Sequence, residues 1–154
     1  MKKQKLLYSV LWILIMANSA YAEKNVSFGV GLGKFYGGLG GNIAVMDGHD
    51  MKYLAMGLTG LVFTDDDFDE GIFGVTAGWV RTDIIAPKSG RHGIGLFAAI
   101  DAGAGEASFS IGPSYTYFFR GMIKTGLNIG ISTGISITED DTSFLIAPQI
   151  GYQF

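Results

Sequence analysis

The sequence contains no cysteine among its 154 residues. This absence excludes both a disulfide framework and a reactive or metal-binding thiol. Charged residues are also scarce: Asp, Glu, Lys and Arg make up only 16% of the chain, compared with about 25% in a typical soluble domain. The chain must therefore be stabilised without disulfides, and its composition is not that of an ordinary soluble domain.

Only one segment of the sequence is hydrophobic over a long run, and it lies at the N-terminus. A basic start, MKKQK, precedes the apolar run LLYSVLWILIM, and the segment ends in Ala20-Tyr21-Ala22. These are the three regions of a secretory signal peptide. The alternative, a membrane anchor, is disfavoured because a spanning helix needs about 20 apolar residues. We predict a signal peptide at residues 1–22 and one mature domain at residues 23–154.

The predicted cleavage makes the mature chain more acidic. Lys2, Lys3 and Lys5 leave with the signal peptide, whereas all 14 acidic residues remain. Because nucleic acid attracts basic surfaces, it is not an expected partner. The sequence indicates no cofactor.

Glycine is abundant, at 24 residues, and from Val26 onward apolar residues recur with a period of two, which is typical of strands. Turn signals divide this pattern into eight segments. Pro113 and Pro148 lie inside two of them, where a missing N–H weakens the ladder, and each is expected to mark a bulge. The predicted strands are 26–33, 38–46, 51–63, 71–82, 91–102, 107–119, 122–138 and 144–154.

The two faces of each predicted strand differ, as KTGLNIGISTGISIT at residues 124–138 illustrates. Leu127 and Ile129 alternate with Gly126 and Asn128. A soluble barrel would turn the polar face outward, but a face of Gly, Ser and Thr with few charges makes a poor soluble surface. The same face suits the lining of a narrow barrel whose apolar face meets lipid. We predict an all-β fold, an eight-stranded antiparallel transmembrane β-barrel, whose closure satisfies every backbone group.

Aromatic and charged residues are distributed as such a barrel requires. An even number of strands places both termini at one end, where Lys52, Lys88, Arg91 and Arg120 are also expected. Phenylalanines lie towards the other end. Aromatic side chains at both ends resemble interfacial girdles. The predicted girdle at the terminus end comprises Trp79, Tyr115, Tyr117, Phe119, Tyr152 and Phe154.

The last residues, with Ile150, Tyr152 and Phe154 on one face, resemble the terminal signature of Gram-negative outer-membrane β-barrels. With the signal peptide and eight strands, the mature chain is similar to the small barrels of the OmpA-transmembrane and OmpX kind. Its Gly-rich strands around a run of Asp are also similar to the YfaZ family. The resemblance implies a monomer in the bacterial outer membrane, with lipid and lipopolysaccharide as its surroundings and the barrel-assembly machinery as its partner during insertion.

Acidic residues form the densest charge clusters, in the predicted loops 64–70 and 139–143. Asp65, Asp67 and Asp69 have the first spacings of an EF-hand, but Glu70 occupies the position that requires Gly, so the motif fails. These acids are either a solvated rim or, as a hypothesis, a site where divalent cations bridge to lipopolysaccharide phosphates. The rim residues are Asp65, Asp66, Asp67, Asp69, Glu70, Glu139, Asp140 and Asp141.

Catalysis is not expected. Some small outer-membrane barrels are lipid-modifying enzymes that use Ser and His, and such an enzyme needs a nucleophile within reach of a base. This chain has only His49, in a predicted turn, and His92, at a strand start. The weaker alternative is an enzyme in which His92 acts with Ser89 or Asp83.

The predicted lumen is lined largely by glycine, so it is either tightly closed or a narrow wet cavity. Asp101 and Lys124 are expected to pair, because a lone charge inside would be costly. Phe97, Phe118 and Leu145 are expected to point inward and block passage. A structural envelope protein with a closed or barely conducting lumen is therefore favoured over a small passive pore. The polar residues predicted to line the lumen are Asn42, Asp101, Lys124, Asn128 and Gln149.

Overall fold

A computed structural model describes residues 25–64, 67–103 and 105–154. The predicted signal peptide and its cleavage site lie outside these ranges. No helix within them is long and apolar enough to cross a membrane. The described residues contain eight strands and one 3₁₀ turn. They are β1 (Asn25–Leu32), the 3₁₀ turn (Lys34–Tyr36), β2 (Leu39–Asp47), β3 (Asp50–Thr64), β4 (Asp67–Arg81), β5 (His92–Gly103), β6 (Glu106–Phe118), β7 (Gly126–Ile137) and β8 (Thr142–Gln153).

The strands form a closed barrel in which each strand pairs antiparallel with its neighbours in the sequence. Closure is made between the first and last strands, where Val30 pairs with Tyr152 and Leu32 with Ile150. The backbone amide of Phe154 also donates to the carbonyl of Phe28, at 2.7 Å. The prediction of an eight-stranded antiparallel barrel is therefore confirmed.

Large apolar side chains cover the outer surface of the barrel. On β7, Leu127 is 54% exposed and Ile129 42%, whereas Asn128 between them is fully buried. The same alternation holds on the other strands, so the predicted outward direction of the apolar face is confirmed. The inward positions carry mostly Gly, Ala, Ser, Thr and amide side chains, with a few large apolar ones such as Phe97 and Phe118. The interior of an eight-stranded barrel is just wide enough for side chains to fill it.

The prolines do not mark bulges, contrary to the prediction. Pro113 pairs with Leu96 and Pro148 pairs with Ile131. The ladder between β6 and β7 has no pair at Gly112 or Pro113, but it resumes in the same register at Ser114. An antiparallel ladder tolerates one proline because a single N–H faces only one neighbouring strand. The register shifts lie instead between β3 and β4, beside Thr59 and at residues 62–63.

Two predicted boundaries were wrong. The predicted loop at residues 64–70 is largely strand, since β3 continues to Thr64 and Asp67 pairs with it at the start of β4. Backbone pairing extends past the apolar pattern because a ladder does not need apolar side chains. The seventh strand begins at Gly126 rather than at residue 122, because residues 119–125 form a turn in which the Met122 amide bonds to the Gly90 carbonyl.

The barrel has two unlike ends. The terminus end holds the start of β1, the end of β8 and the turns at residues 48–49, 82–91 and 119–125. The loop end holds the connections at residues 33–38 and 138–141, the end of β3 beside the start of β4, and the end of β5 beside the start of β6. The third-to-fourth and seventh-to-eighth connections share the loop end, as predicted, but they lie half the circumference apart because three connections separate them around the barrel.

Candidate functional site in the barrel interior

The connection between β1 and β2 folds into the barrel instead of projecting from it. We call residues 33–38 the plug. Gly33 and Gly38 exchange two backbone hydrogen bonds of 3.0 Å each, which close its neck. Both glycines have φ of 105°, a conformation that other residues rarely adopt. Phe35 and Tyr36 are completely buried. The plug was not predicted, because its sequence KFYGG is also that of an ordinary turn.

One side of the plug packs against apolar residues. The ring centroid of Phe35 lies 4.5 Å from that of Tyr53 and 6.4 Å from that of Phe118. Phe97 and Phe118 are each only 2% exposed, so both point inward as expected. The cluster around the plug continues towards the terminus end through Met46, Met51, Val80 and Met122.

The other side of the plug meets polar groups. The Tyr36 hydroxyl donates to Asn128 Oδ1 at 2.9 Å and accepts from Asn128 Nδ2 at 2.6 Å. Asn42 Nδ2 donates to the Phe35 carbonyl at 3.1 Å. Two residues predicted to line the lumen, Asn42 and Asn128, are therefore buried in the barrel and hold the plug.

Further polar residues connect β1, β2, β6, β7 and β8. Gln149 Nε2 donates to Thr116 Oγ1 at 2.7 Å, and Ser132 Oγ donates to Gln149 Oε1 at 3.2 Å. Gln153 Nε2 donates to Ser27 Oγ at 2.8 Å and to Asn42 Oδ1. Gln149, also predicted to line the lumen, is 4% exposed. Buried amide side chains that are hydrogen-bonded to several strands fix how these strands pack around the interior.

The inward glycines make room for the tyrosine rings. A Cβ added at Gly151 would collide with the ring of Tyr36, and one added at Gly78 would collide with the ring of Tyr53. These glycines do not leave an empty lumen, because the space beside them holds aromatic side chains.

We expect Gly151→Ala to lower the free energy of unfolding by about 1–3 kcal/mol, the usual cost of overpacking. Gly126→Ala is the matched control. Its Cβ would meet only the flexible side chain of Arg120, at 3.2 Å, so a smaller loss is expected. Equilibrium unfolding in urea measures both variants, and equal losses would contradict the packing of Tyr36 against Gly151.

The expected ion pair is made by a different lysine. The Lys34 ammonium on the plug pairs with Asp101 Oδ2, and the two side chains are only 10% and 12% exposed. Lys124 was predicted as the partner and as a lumen residue, and this was wrong. It lies exposed in the turn at residues 119–125, outside the strands. It therefore sits at the terminus end, whereas Asp101 lies near the loop end of β5.

Between the ion pair and the loop end, the interior of the barrel opens into a recess of about 490 Å³. Lys34 and Asp101 line it together with Thr59, Ile72 and Leu145. Leu145 lines this recess, so it points inward as expected. Within the described residues, four buried side-chain oxygens lack a hydrogen-bond partner: Thr76 Oγ1, Asp101 Oδ1, Ser114 Oγ and Gln153 Oε1.

The predicted acidic rim is divided between two places. Asp65 and Asp66 lie outside the described residues. Asp67, Asp69 and Glu70 belong to β4 rather than to a loop. Glu139, Asp140 and Asp141 are exposed in the connection at residues 138–141. Among the described residues, no group of three or more His, Asp or Glu could hold a metal ion.

The predicted aromatic residues lie near the terminus end, where strands β4, β6 and β8 finish. Trp79 Nε1 donates to Asp50 Oδ1 at 2.9 Å. Tyr117 packs on Phe119, and Tyr152 packs on Phe154, with centroid distances of 5.2 and 5.0 Å. At the other end Phe73, Phe109 and Phe144 are exposed.

The histidines do not contact the groups considered for catalysis. His92 Nδ1 lies 2.8 Å from the Tyr115 hydroxyl, and His49 Nδ1 lies 3.3 Å from Thr82 Oγ1. The Ser89 hydroxyl instead donates to the Ala86 carbonyl. Asp83 bonds to Arg81, at 2.9 and 2.5 Å.

The Arg81 guanidinium, through its hydrogen bonds, lowers the pKa of Asp83 below its usual value of 3.8. A carboxyl whose pKa is lower in the folded state stabilises the fold above its unfolded pKa, and this stabilisation disappears as the pH falls through the folded pKa.

We therefore expect Asp83→Asn to reduce thermal stability slightly above about pH 4. The difference should shrink as the pH falls further and disappear only below the folded-state pKa of Asp83, where the carboxyl is protonated in both states. Thermal unfolding of both proteins across this range tests the prediction. A difference that persists unchanged to the lowest pH would contradict it.

Comparison of the chain with protein-family models, with curated proteins and with solved structures found no match.

Proposed function

We propose that the chain is an integral β-barrel of a bacterial outer membrane, with a structural role in the envelope and an interior that does not conduct ions. Lipid and lipopolysaccharide are its proposed surroundings, the barrel-assembly machinery is its proposed partner during insertion, and the protein is proposed to be a monomer without catalytic activity. The observation that carries this proposal is the band of large apolar side chains around the outside of a closed barrel.

This outer band would be unfavourable in water. Phe28, Met56, Leu96 and Ile146 are each more than half exposed, and each large apolar side chain moved out of water contributes about 1.5–3 kcal/mol. A bilayer removes this band from water, and a closed barrel leaves no strand edge unpaired inside it. Strands of 8 to 15 residues match the roughly 9–11 residues that a tilted spanning strand needs.

The plug supports the non-conducting state. Phe35, Tyr36, Tyr53 and Phe118 belong to one buried cluster inside the barrel. This cluster continues to Met122 in the turn at the terminus end. The second candidate is a small passive pore. It is favoured by the recess at the loop end, which leads to the Lys34–Asp101 ion pair.

Planar-bilayer recording distinguishes these two functions. We expect the purified mature chain to give no discrete openings under conditions in which a porin control conducts. Regular single-channel openings of the unaltered protein would favour the pore.

Insertion can be measured on the same protein. Trp79 is the only tryptophan in residues 23–154, and it is 40% exposed on the outer face. We expect its fluorescence to be quenched by lipids brominated near the headgroup. No quenching by any brominated lipid would contradict the proposed location.

A further inference from the structure

The terminus end contains a recess that the proposed function does not use. The turns at residues 48–49, 82–91 and 119–125 enclose about 200 Å³ between them. Lys88, Arg120 and Lys124 line this space, together with His49. Three cationic side chains from two separate turns therefore surround one small opening.

These cations are not neutralised by a neighbouring carboxylate in the described part of the chain. The ion pairs found there join Lys34 to Asp101 and Arg81 to Asp50 and Asp83. Asp83, the acid that belongs to one of the three turns, is already held by Arg81. The recess therefore has a net positive charge that an anion can neutralise.

The walls of the recess leave its backbone accessible. Gly48, Gly90 and Gly121 line it with φ of 59°, 60° and 96°. A Cβ added at Gly48 or Gly90 would meet nothing within 4 Å. Such glycines let a ligand approach the backbone closely. The recess therefore suits a compact tetrahedral anion better than it suits the broad surface of a macromolecule.

Apolar side chains on the same turns point to the source of that anion. Ile123, which lines the recess, is 62% exposed. Ile84 and Ile85, on the turn at residues 82–91, are 57% and 53% exposed, and Phe119, on the turn of Ile123, is 46% exposed. Apolar and basic groups side by side are typical of surfaces that meet the headgroup region of an anionic membrane. A free anion would use the cations but not the isoleucines.

We propose that this recess binds the phosphate of an anionic phospholipid, with Lys88, Arg120 and Lys124 around the phosphate and Ile84, Ile85 and Ile123 against the acyl chains. The proposal rests on the proposed membrane location and adds a lipid site to it. The positive charge of the site implies that its affinity falls as salt concentration rises.

The test uses the mature chain refolded in uncharged detergent, with short-chain phosphatidylglycerol, phosphatidylcholine or glycerol phosphate added. Native mass spectrometry measures the bound molecules. The test variant is Lys88→Ser/Arg120→Ser/Lys124→Ser. The control is Lys52→Ser/Arg91→Ser, which removes two exposed cations of the terminus end that do not line the recess. The double variant Lys88→Ser/Lys124→Ser removes the same number of charges from the recess and is compared with it directly.

We expect the unaltered protein and the control to prefer phosphatidylglycerol, and the triple variant to bind it about tenfold or more weakly. Equally weakened binding of phosphatidylglycerol by the control would overturn the site. The lipid would then respond to the overall charge of the terminus end and not to the recess. No preference over phosphatidylcholine would also overturn it. Binding of glycerol phosphate as tight as that of phosphatidylglycerol would overturn the assignment to a lipid.

Two further measurements keep the outcomes separate. If the triple variant does not fold, Lys88→Ser and Lys124→Ser alone should each weaken binding about threefold, and unchanged binding in both would overturn the site. Insertion into neutral vesicles is scored independently. A chain that fails to insert refutes the proposed function, whereas one that inserts without preferring phosphatidylglycerol refutes only the lipid site.

Discussion

Replacing Tyr36 by alanine should lower the free energy of unfolding by about 3–5 kcal/mol, the usual cost of removing a large aromatic side chain from a packed interior. Tyr36 is completely buried and packs edge-on against Phe35, with a centroid distance of 5.1 Å. The space it leaves is bounded by Gly29, Gly31 and Gly151, which have no side chains to fill it. Urea unfolding of the refolded barrel measures the loss.

Tyr36→Phe is the control for this prediction. It keeps the ring but removes the hydroxyl that bonds to Asn128, so a loss of about 1–3 kcal/mol is expected from the unpaired amide. If Tyr36→Ala unfolded like the unaltered protein, the plug would not be part of the packed interior.

Replacing Asp101 by alanine should cost about 3–5 kcal/mol, because it leaves the largely buried ammonium of Lys34 without its partner. The two side chains are 10% and 12% exposed, so water replaces little of the lost interaction. The free energy of unfolding in urea again gives the measurement.

Two comparison variants make this prediction specific. Lys34→Met/Asp101→Leu removes both charges and should recover most of the loss, because well-packed apolar residues often replace a buried ion pair without cost. Lys124→Ala should change stability by no more than about 0.5 kcal/mol, as expected of an exposed residue. A large effect of Lys124→Ala, with none of Asp101→Ala, would contradict the observed pairing.

The barrel could be predicted from the sequence because its determinants are local. The alternation of apolar and polar residues along a strand such as β7 assigns Ile129 and Asn128 to opposite faces of the sheet. Turn residues then divide the chain into eight strands whose order needs no crossover. The prediction of a loop at residues 64–70 was wrong, because the polar side chains of this segment do not indicate that the backbone ladder continues.

The interior could not be predicted because its contacts join residues far apart in the sequence. Tyr36 meets Asn128, and Lys34 meets Asp101, through the inward folding of a six-residue connection. The signal available was the large number of inward glycines, which indicated unfilled space without indicating what fills it. A turn containing two aromatic residues beside glycines, as in KFYGG, was the second signal.

The central claim, that this chain is an outer-membrane barrel, is tested most directly by fractionating the cell envelope and running the outer-membrane fraction on a gel with and without boiling. We expect the protein in that fraction, with the unboiled form migrating differently from the boiled form because the closed barrel stays folded in detergent. A protein recovered from the soluble periplasm, with identical migration before and after boiling, would contradict the claim.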